Sequence, residues 1–382
     1  MPVYTTHPEY DENVLIWQRN TDAVEGEAAV KAKTDIYLPK FVPHDEERYA
    51  DYIKRAYFLG IPSSTVNAFV GMVFRKPYKA ELPASMEFLL ENIDGTGQSV
   101  DQVAKQAVSQ ILTTGRMFMF CDFPEVGNID YETEKELGIT PFVKTYSCFD
   151  AINWREKIVN GKKVLNLVVL REAVNVSGDE FGHTYEYMYR ILRKTDEGVT
   201  VEIRDNGGIV IQEEKPIRKH DGTQFQNIPG IFVGARDNKP SVDVAPMSDI
   251  CSVSIAQYRN IADLEEAAHI LGQITLHVNI GDMSTEQWTA LNQNGIKFGS
   301  RQGIQTVNGS VELLQATETQ LHAKMIADKT EQMQQLGARI IKRGGSNQTA
   351  EAARLEASSE SSILDNVVGN VSEAIEFMLE CC

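Results

Sequence analysis

The side chains that most often carry chemistry in proteins are present in this chain, but their spacing is not that of an active site. None of the seven histidines falls at metal-ligand spacing, and we interpret them as surface or packing residues, among them His44, His183, His269, His277 and His322. Motifs of nucleotide-binding proteins, zinc proteases and serine hydrolases (GxxxxGKS/T, GxGxxG, HExxH, GxSxG) are absent. We therefore expect no catalytic residue, no metal site, no cofactor and no enzymatic activity.

Acid pairs and cysteines give no stronger signal. Glu213-Glu214 and Glu265-Glu266 are adjacent, so on a helix or strand their side chains point in different directions, and a solvated charged face is the simpler interpretation. The five cysteines have no CxxC spacing: Cys121, Cys148, Cys251, Cys381 and Cys382. This scatter argues against a structural zinc site and a disulfide framework, and indicates synthesis in a reducing, cytoplasmic compartment.

One basic cluster next to glycines has two interpretations. It comprises Lys342, Arg343, Gly344, Gly345, Ser346, Asn347 and Gln348. Lys342 and Arg343 could complement the dipole at the end of a preceding helix, with Gly344 as the left-handed residue beyond it. Alternatively, the segment is a loop that presents positive charge and amide groups to a phosphate backbone without reading base sequence. The local sequence alone favours the helix terminus.

The composition of the chain limits its domain organisation and its partners. With 42% hydrophobic residues in 382, the chain has enough apolar content for more than one core, and we expect two or three subdomains. A formal net charge of −17 should make the surface as a whole repel nucleic acid and anionic membranes, although local basic patches remain possible. No apolar run approaches the ~20 residues of a membrane span, and the N-terminus does not resemble a signal peptide. We expect no membrane association.

Apolar periodicity predicts three helices in the N-terminal third. The first follows Pro43 and ends at Gly60, and the second is capped by Ser63 or Ser64 and ends before Lys76-Pro77. The third follows Ser99 and ends at Gly115.

A β-rich block follows these helices. Six strands are predicted: Met117 to Cys121, Phe142 to Tyr146, Val164 to Leu170, Tyr185 to Leu192, Val199 to Arg204 and Gly208 to Gln212. Turn signals such as Asn160-Gly161, Asn206-Gly207-Gly208 and Asp221-Gly222 favour antiparallel hairpins. The helices and the strands together predict an α+β domain.

The remaining third returns to helical periodicity with a small mixed insert. A helix is predicted after Pro246, from about Met247 to Gly272, and another from Thr317 to Ile341. Between them we expect a strand from Ile274 to Ile280, a short helix capped by Ser284, and loops with short strands from Gly295 to Val311. A last helix is predicted from Thr349 to the end.

This order of elements, with several short segments, resembles the portal proteins of tailed bacteriophages, in particular a podovirus and siphovirus portal-like family. The segments are Tyr37-Leu38-Pro39, the helix with Tyr49, Tyr52 and Arg55-Ala56, Thr65-Val66 through Lys76-Pro77, Gly115-Arg116, Gly337-Ala338-Arg339 and Thr349-Ala350-Glu351. The resemblance covers nearly the whole chain. Each segment is short, and the helix–insert–helix–loop–helix order is the more specific feature.

The resemblance implies an α+β portal fold with the following division: wing 1–246, first stem helix 247–272, clip 273–316, second stem helix 317–341, tunnel loop 342–348 and long wing helix 349–382. Many portals continue into a crown after this helix. A sequence that stops at Cys381-Cys382 implies either a minimal crown or a truncated sequence.

The resemblance also implies a function. Portal proteins form a ring, commonly of twelve subunits, at one capsid vertex, through which double-stranded DNA passes non-specifically during packaging and ejection. The expected partners are other copies of the chain, a terminase that supplies the energy, head-to-tail adaptors, and the major capsid or scaffolding protein. The expected location is the virion, after assembly in the host cytoplasm.

Site residues follow from the same division. Lys342 to Gln348 would face the DNA channel as the tunnel loop. Clip residues that could contact partners, or be solvated loop residues, are Trp288, Lys297, Arg301 and Gln302. Acids that would line the channel and repel DNA are Asp263, Glu265, Glu266, Glu351 and Glu356.

Two other classes of protein are consistent with the sequence. Another oligomeric virion component, such as an adaptor or capsid-associated protein, would share the oligomerisation but lack the helix–clip–helix–loop order. An uncharacterised enzyme would need a polar pocket in the wing and would be monomeric or dimeric.

Overall fold

The computed structural model describes residues 2–40, 45–76, 81–123, 140–219, 222–272, 275–293, 304, 306–314, 320–341 and 362–382. Within these ranges helices and antiparallel sheets occupy separate stretches of chain, so the α+β class is confirmed. The chain divides into two compact units. Unit 1 comprises Met1–Ala32, Leu59–Ile255 and Glu331–Cys382, and unit 2 comprises Lys33–Phe58 and Ala256–Thr330.

The described residues form ten α-helices, numbered here in chain order. They are α1 (Pro8–Glu25), α2 (Glu27–Ala32), α3 (Glu46–Arg55), α4 (Ile61–Val73), α5 (Phe88–Glu91), α6 (Val100–Thr114), α7 (Ser248–Gly272), α8 (Thr285–Leu291), α9 (Leu321–Ile341) and α10 (Ile363–Cys381). Two short 3₁₀ turns, Thr34–Ile36 and Ala84–Met86, complete the helical part.

Helix α6 begins and ends as its sequence predicts. The Ser99 hydroxyl accepts a hydrogen bond from the Gln102 backbone N–H, and the Gln102 side chain accepts one from the Ser99 backbone, which is a capping box. At the other end Gly115 adopts φ 76°, and its N–H donates to the Ile111 carbonyl. A Cβ at Gly115 would lie 2.6 Å from the Asp243 carbonyl oxygen, so both conformation and space require glycine here.

Ten strands form three antiparallel sheets within the described ranges. The strands are β1 (Arg116–Asp122), β2 (Phe142–Ser147), β3 (Ala151–Val159), β4 (Lys162–Asn175), β5 (Tyr185–Lys194), β6 (Val199–Asp205), β7 (Val210–Pro216), β8 (Gly230–Gly234), β9 (Thr275–Asn279) and β10 (Ser310–Leu314). The sheet orders are β2-β1-β8, β3-β4-β5-β6-β7 and β10-β9. The antiparallel hairpins are therefore confirmed.

The five-stranded sheet is a meander, because each strand pairs with its neighbour in sequence. The turn between β3 and β4 has Asn160 at φ 51° and Gly161 at φ 77°, the positive φ values that a two-residue hairpin of type I′ requires. Strands β3 and β8 and helix α1 were not predicted from the sequence, and β7 lies two residues or more beyond its predicted position.

The core of unit 1 contains a cluster of large aromatic side chains. Trp17 from α1, Phe118 from β1, Trp154 from β3 and Phe232 from β8 are all at most 3% exposed. The guanidinium of Arg116 lies between two of these rings, 3.8 Å from the Trp154 centroid and 3.9 Å from the Phe232 centroid. It also donates to the Pro240 carbonyl, so this buried cation is held by ring faces and backbone.

The C-terminal helix differs from its prediction. Ser362 has extended backbone (ψ 157°), and its hydroxyl caps α10 by accepting from the Asp365 backbone N–H. A single uninterrupted helix from Thr349 to 382 is therefore wrong, because Ser362 begins a new helix; residues 349–361 lie outside the described ranges. Helix α10 packs against α6, β8 and β1 within unit 1.

Candidate functional site

Most of the predicted site residues lie outside the described residues. They are the whole tunnel loop, Lys342 to Gln348, the channel acids Glu351 and Glu356, and the clip residues Lys297, Arg301 and Gln302. Helix α9 ends at Ile341, directly before this predicted loop. The described candidates are Asp263, Glu265 and Glu266 on α7 and Trp288 on α8, all in unit 2.

The acids on α7 face cationic and hydroxyl groups of α3. The Tyr52 hydroxyl donates to the Asp263 carboxylate at 2.6 Å. Burial, together with the hydrogen bond to Asp263, raises the pKa of Tyr52 above its ordinary value, so the phenol stays protonated and remains a donor.

Glu266 is held by two ion pairs. Arg48 lies 3.3 Å from one of its oxygens, and Arg55 donates to the other. The Glu266 side chain is 13% exposed, whereas that of Arg48 is 46% exposed. A carboxylate that is this enclosed and shared between two arginines contributes less negative potential to its surroundings than a solvated one.

The spacing on the two helices explains why these groups meet. Arg48, Tyr52 and Arg55 recur at four and three residues and so share one face of α3. Asp263 and Glu266 are three residues apart on one face of α7. Complementary stripes of this kind were present in the sequence, and pairing them could have identified the contact.

Helices α7 and α9 are joined within unit 2 by polar contacts between residues 257–260 and residues 326–330. The Gln257 amide of α7 donates to the Ile326 carbonyl at 3.0 Å and to the Thr330 hydroxyl at 2.7 Å, both on α9. One turn along α7, Asn260 accepts from Lys329 of α9 at 2.5 Å. These contacts hold α7 and α9 side by side in the part of each helix that belongs to unit 2.

The small insert between α7 and α9 exposes apolar side chains. Ser284 caps α8 with a capping box, as the sequence predicts, and no residue of α8 is buried. Trp288 is half-buried, and its carbonyl accepts from the Asn292 amide. Apolar residues of the same insert are widely exposed: Leu291 at 60%, Val307 at 53% and Val311 at 41%.

Sequence reasoning did not identify a buried ionic network in unit 1. Arg190 of β5 lies 3.1 Å from Asp122 of β1 and 3.0 Å from Glu172 of β4. The Tyr146 hydroxyl also donates to Glu172, and Lys144 lies 3.5 Å from the same carboxylate. Since each of these acids has a cationic partner, we interpret the network as a structural joint between two sheets, not as an acid–base site.

Two findings bear on metal sites and membrane spans. Among the residues that the structure describes, no group of three or more His, Cys, Asp or Glu side chains could hold a metal ion. In the same ranges, no helix is long and apolar enough to cross a membrane.

Comparison with known proteins gives partial similarities. The family described as a domain of unknown function (DUF4055) matches residues 246–382. No curated protein matches the chain. Among solved structures, the chain is similar to a protein of the virion of a native gene transfer agent particle, with 12% identity over 89% of this chain and 82% of that chain, and a TM-score of 0.43.

Two further structures come from necks of these particles. A chain of the neck of the empty particle, computed with C6 symmetry, has 12% identity and a TM-score of 0.42. A chain of the native neck, computed with C12 symmetry, has 12% identity and a TM-score of 0.41. Each comparison covers 94% of this chain and 86% of the other. At these TM-scores the similarity does not establish a shared function.

Proposed function

We propose that the protein is a portal-type subunit of a phage-like virion. Copies of it, commonly twelve in the family that the sequence resembles, would form a ring through which double-stranded DNA passes without base-specific contacts. Its role would be structural, with a terminase supplying the energy for packaging. The ring would lie at a capsid vertex, at the junction of head and tail.

The observation that supports the proposal is the helix–insert–helix arrangement of residues 248–341. Helix α7 has 25 residues and α9 has 21, so they span about 37 and 31 Å at 1.5 Å per residue. Between them lies the small β9–α8–β10 insert. This is the order expected for two stem helices that carry a clip.

The insert supplies a surface for the proposed partners. Leu291, Val307 and Val311 are exposed apolar side chains on a segment where no residue of the helix α8 is buried. A terminase during packaging, and an adaptor afterwards, would cover these side chains and gain the free energy of apolar burial.

Negative charge on the protein is what would keep DNA from adhering to the proposed channel. A formal charge of −17 per chain would repel DNA from the ring interior and limit its adhesion during passage. Because Asp263 and Glu266 are bound by groups of α3, they would contribute less to that repulsion than solvated acids. The predicted tunnel loop, with Lys342 and Arg343, would be the basic exception.

Electron microscopy of the negatively stained protein tests the proposal most directly. We expect rings with a central hole as wide as duplex DNA, and dispersed particles the size of one chain would contradict it. Replacing both Lys342 and Arg343 by Glu should preserve the rings but alter DNA packaging or retention. Unchanged packaging in this double variant would remove the tunnel-loop role and leave the ring intact.

A different oligomeric virion component, such as an adaptor, remains the second candidate. It is favoured only by the exposed apolar insert, which an adaptor would also need. Cross-linking with a terminase distinguishes the two, because packaging motors dock on portals before adaptors are added.

A further inference from the structure

Two cysteines that are 261 positions apart in sequence meet in unit 1. The Sγ atoms of Cys121 and Cys382 lie 3.5 Å apart, and neither is in a disulfide. Cys121 belongs to β1, the central strand of the three-stranded sheet, and is 4% exposed. Cys382 directly follows α10 and is half-buried. The pair was not identified from the sequence, because its members have no local spacing.

Both backbones are fixed at this contact. The Cys382 N–H donates to the Met378 carbonyl, which extends the helical hydrogen bonding one residue beyond α10. The neighbouring Cys381 packs against the aromatic core cluster. On the other side, Cys121 pairs with Val143 of β2. The closeness of the two sulfur atoms therefore follows from the packing of α10 on β1.

The two thiols differ in access and in acidity. The hydrogen bond from Cys121 lowers the pKa of the Cys382 thiol, whereas the same hydrogen bond and burial raise the pKa of Cys121. Burial also raises the pKa of Cys381 to about 12. Since the thiolate is the attacking species, Cys382 is the thiol best placed to react with a reagent from solvent.

We propose that Cys121 and Cys382 form a thiol modification site that reacts with a small disulfide of the oxidised glutathione class and closes into an intramolecular disulfide. In the first step the Cys382 thiolate attacks one sulfur of the reagent, forms a mixed disulfide and expels one glutathione thiolate. Cys121 then loses its proton and attacks the Cys382 sulfur, which expels the second glutathione. The protein pair loses two electrons, and one glutathione disulfide becomes two thiols.

Closure requires only a local movement. A disulfide has an S–S length of about 2.05 Å, so the sulfur atoms must approach by roughly 1.5 Å, which rotation of the half-buried Cys382 side chain can supply. The product would link α10 covalently to β1. It would persist only in oxidising surroundings, since cytosolic thiols keep such pairs reduced.

Incubation of the full chain with oxidised glutathione, followed by acid quenching and peptide mass spectrometry, tests the proposal. We expect one linked peptide pair, Cys121 with Cys382, and no retained glutathione. The Cys121→Ser variant should instead retain one glutathione on Cys382. The matched control Cys251→Ser, which removes a fully buried thiol elsewhere in unit 1, should react as the unaltered chain does.

Thermal unfolding gives an independent readout that uses the unaltered protein. The oxidised chain should have a Tm several degrees above the reduced chain, and dithiothreitol should remove the difference, because the link restricts the unfolded state. A Cys381–Cys382 link, a persistent glutathione adduct in the unaltered chain, or no reaction would each overturn the proposal. None of these outcomes depends on the protein being a portal subunit.

Discussion

Arg190 lies 3.1 Å from Asp122 and thereby connects the middle strand of the five-stranded sheet to the central strand of the three-stranded sheet. Both side chains are largely enclosed, at 12% and 16% exposure. Burial disfavours the charge on Arg190, but Asp122 and Glu172 outweigh this and raise its pKa above the ordinary value. The two sheets of unit 1 are therefore joined by a charged contact as well as by aromatic packing.

Replacing Arg190 by Met should be strongly destabilising. The substitution keeps much of the volume but leaves the Asp122 and Glu172 carboxylates enclosed without this cation. Breaking a buried pair on one side costs about 3–5 kcal/mol, and we expect a loss near the lower value because Lys144 remains nearby. Urea denaturation measures it. Arg155→Met, at an exposed position on β3, is the control and should change stability by less than about 0.5 kcal/mol.

The same network predicts a pH dependence. Burial alone would raise the pKa of Glu172, but the charges of Arg190 and Lys144 outweigh it and hold the pKa below its ordinary value of 4.5. Because the folded pKa is depressed, the stabilisation is present above 4.5 and is lost as pH falls through the folded value. The Tm of the unaltered chain should therefore fall more steeply below pH 4.5 than that of Glu172→Gln. Parallel curves for the two proteins would contradict this assignment.

The contact between α3 and α7 can be measured as a coupling energy. Tyr52→Phe and Asp263→Asn each remove or weaken one hydrogen bond, so the double variant should lose less than the sum of the two. A hydrogen bond to a charged group contributes about 1.5–3 kcal/mol, and we expect a coupling in the lower part of that range. Amide hydrogen exchange of residues 46–55 reports it locally. Tyr57→Phe, at a 41% exposed ring, should show no coupling with Asp263→Asn.

Gly115→Ala should cost more than Gly161→Ala, although the two glycines have nearly the same φ, 76° and 77°. A Cβ at Gly161 meets nothing within 4 Å, whereas one at Gly115 would collide with the Asp243 backbone. We expect about 1 kcal/mol for the conformational cost alone at Gly161 and at least twice that at Gly115. Chemical denaturation of the two variants measures the difference, and equal losses would show that the backbone near Asp243 moves away freely.

Local signals predicted the elements that carry their own start and stop residues. The capping boxes at Ser99 and Ser284 and the left-handed Gly115 each lie within four residues of the helix end that they define. The sequence also carries this signal at Ser362 and Asp365, so the predicted uninterrupted helix from Thr349 was wrong. The hairpin turn between β3 and β4 is likewise predicted by two adjacent residues, Asn160 and Gly161.

Elements that depend on distant partners could not be predicted in this way. Helix α1 buries Asn20 and Asp22 beside Trp17, so polar residues interrupt its apolar stripe. The Asn20 amide donates to the Thr113 carbonyl of α6, a partner that only the folded chain brings near. Strand β8 has five residues with glycine at both ends and exists because β1 offers a free edge. Asp122, Glu172 and Arg190 likewise have no spacing that would bring them together before the fold is known.

Unit 1 joins three separate stretches of chain, and this fixes when it can be completed during synthesis. The five-stranded meander needs only residues 151–216 and contacts between neighbours, which favours rapid formation on a growing chain. The three-stranded sheet cannot be completed until β8 has been synthesised. Helix α10, which packs against this sheet, requires residues 363–381. Until α10 is made, β1 and α6 keep apolar surface uncovered, and we expect this surface to favour aggregation of incomplete chains.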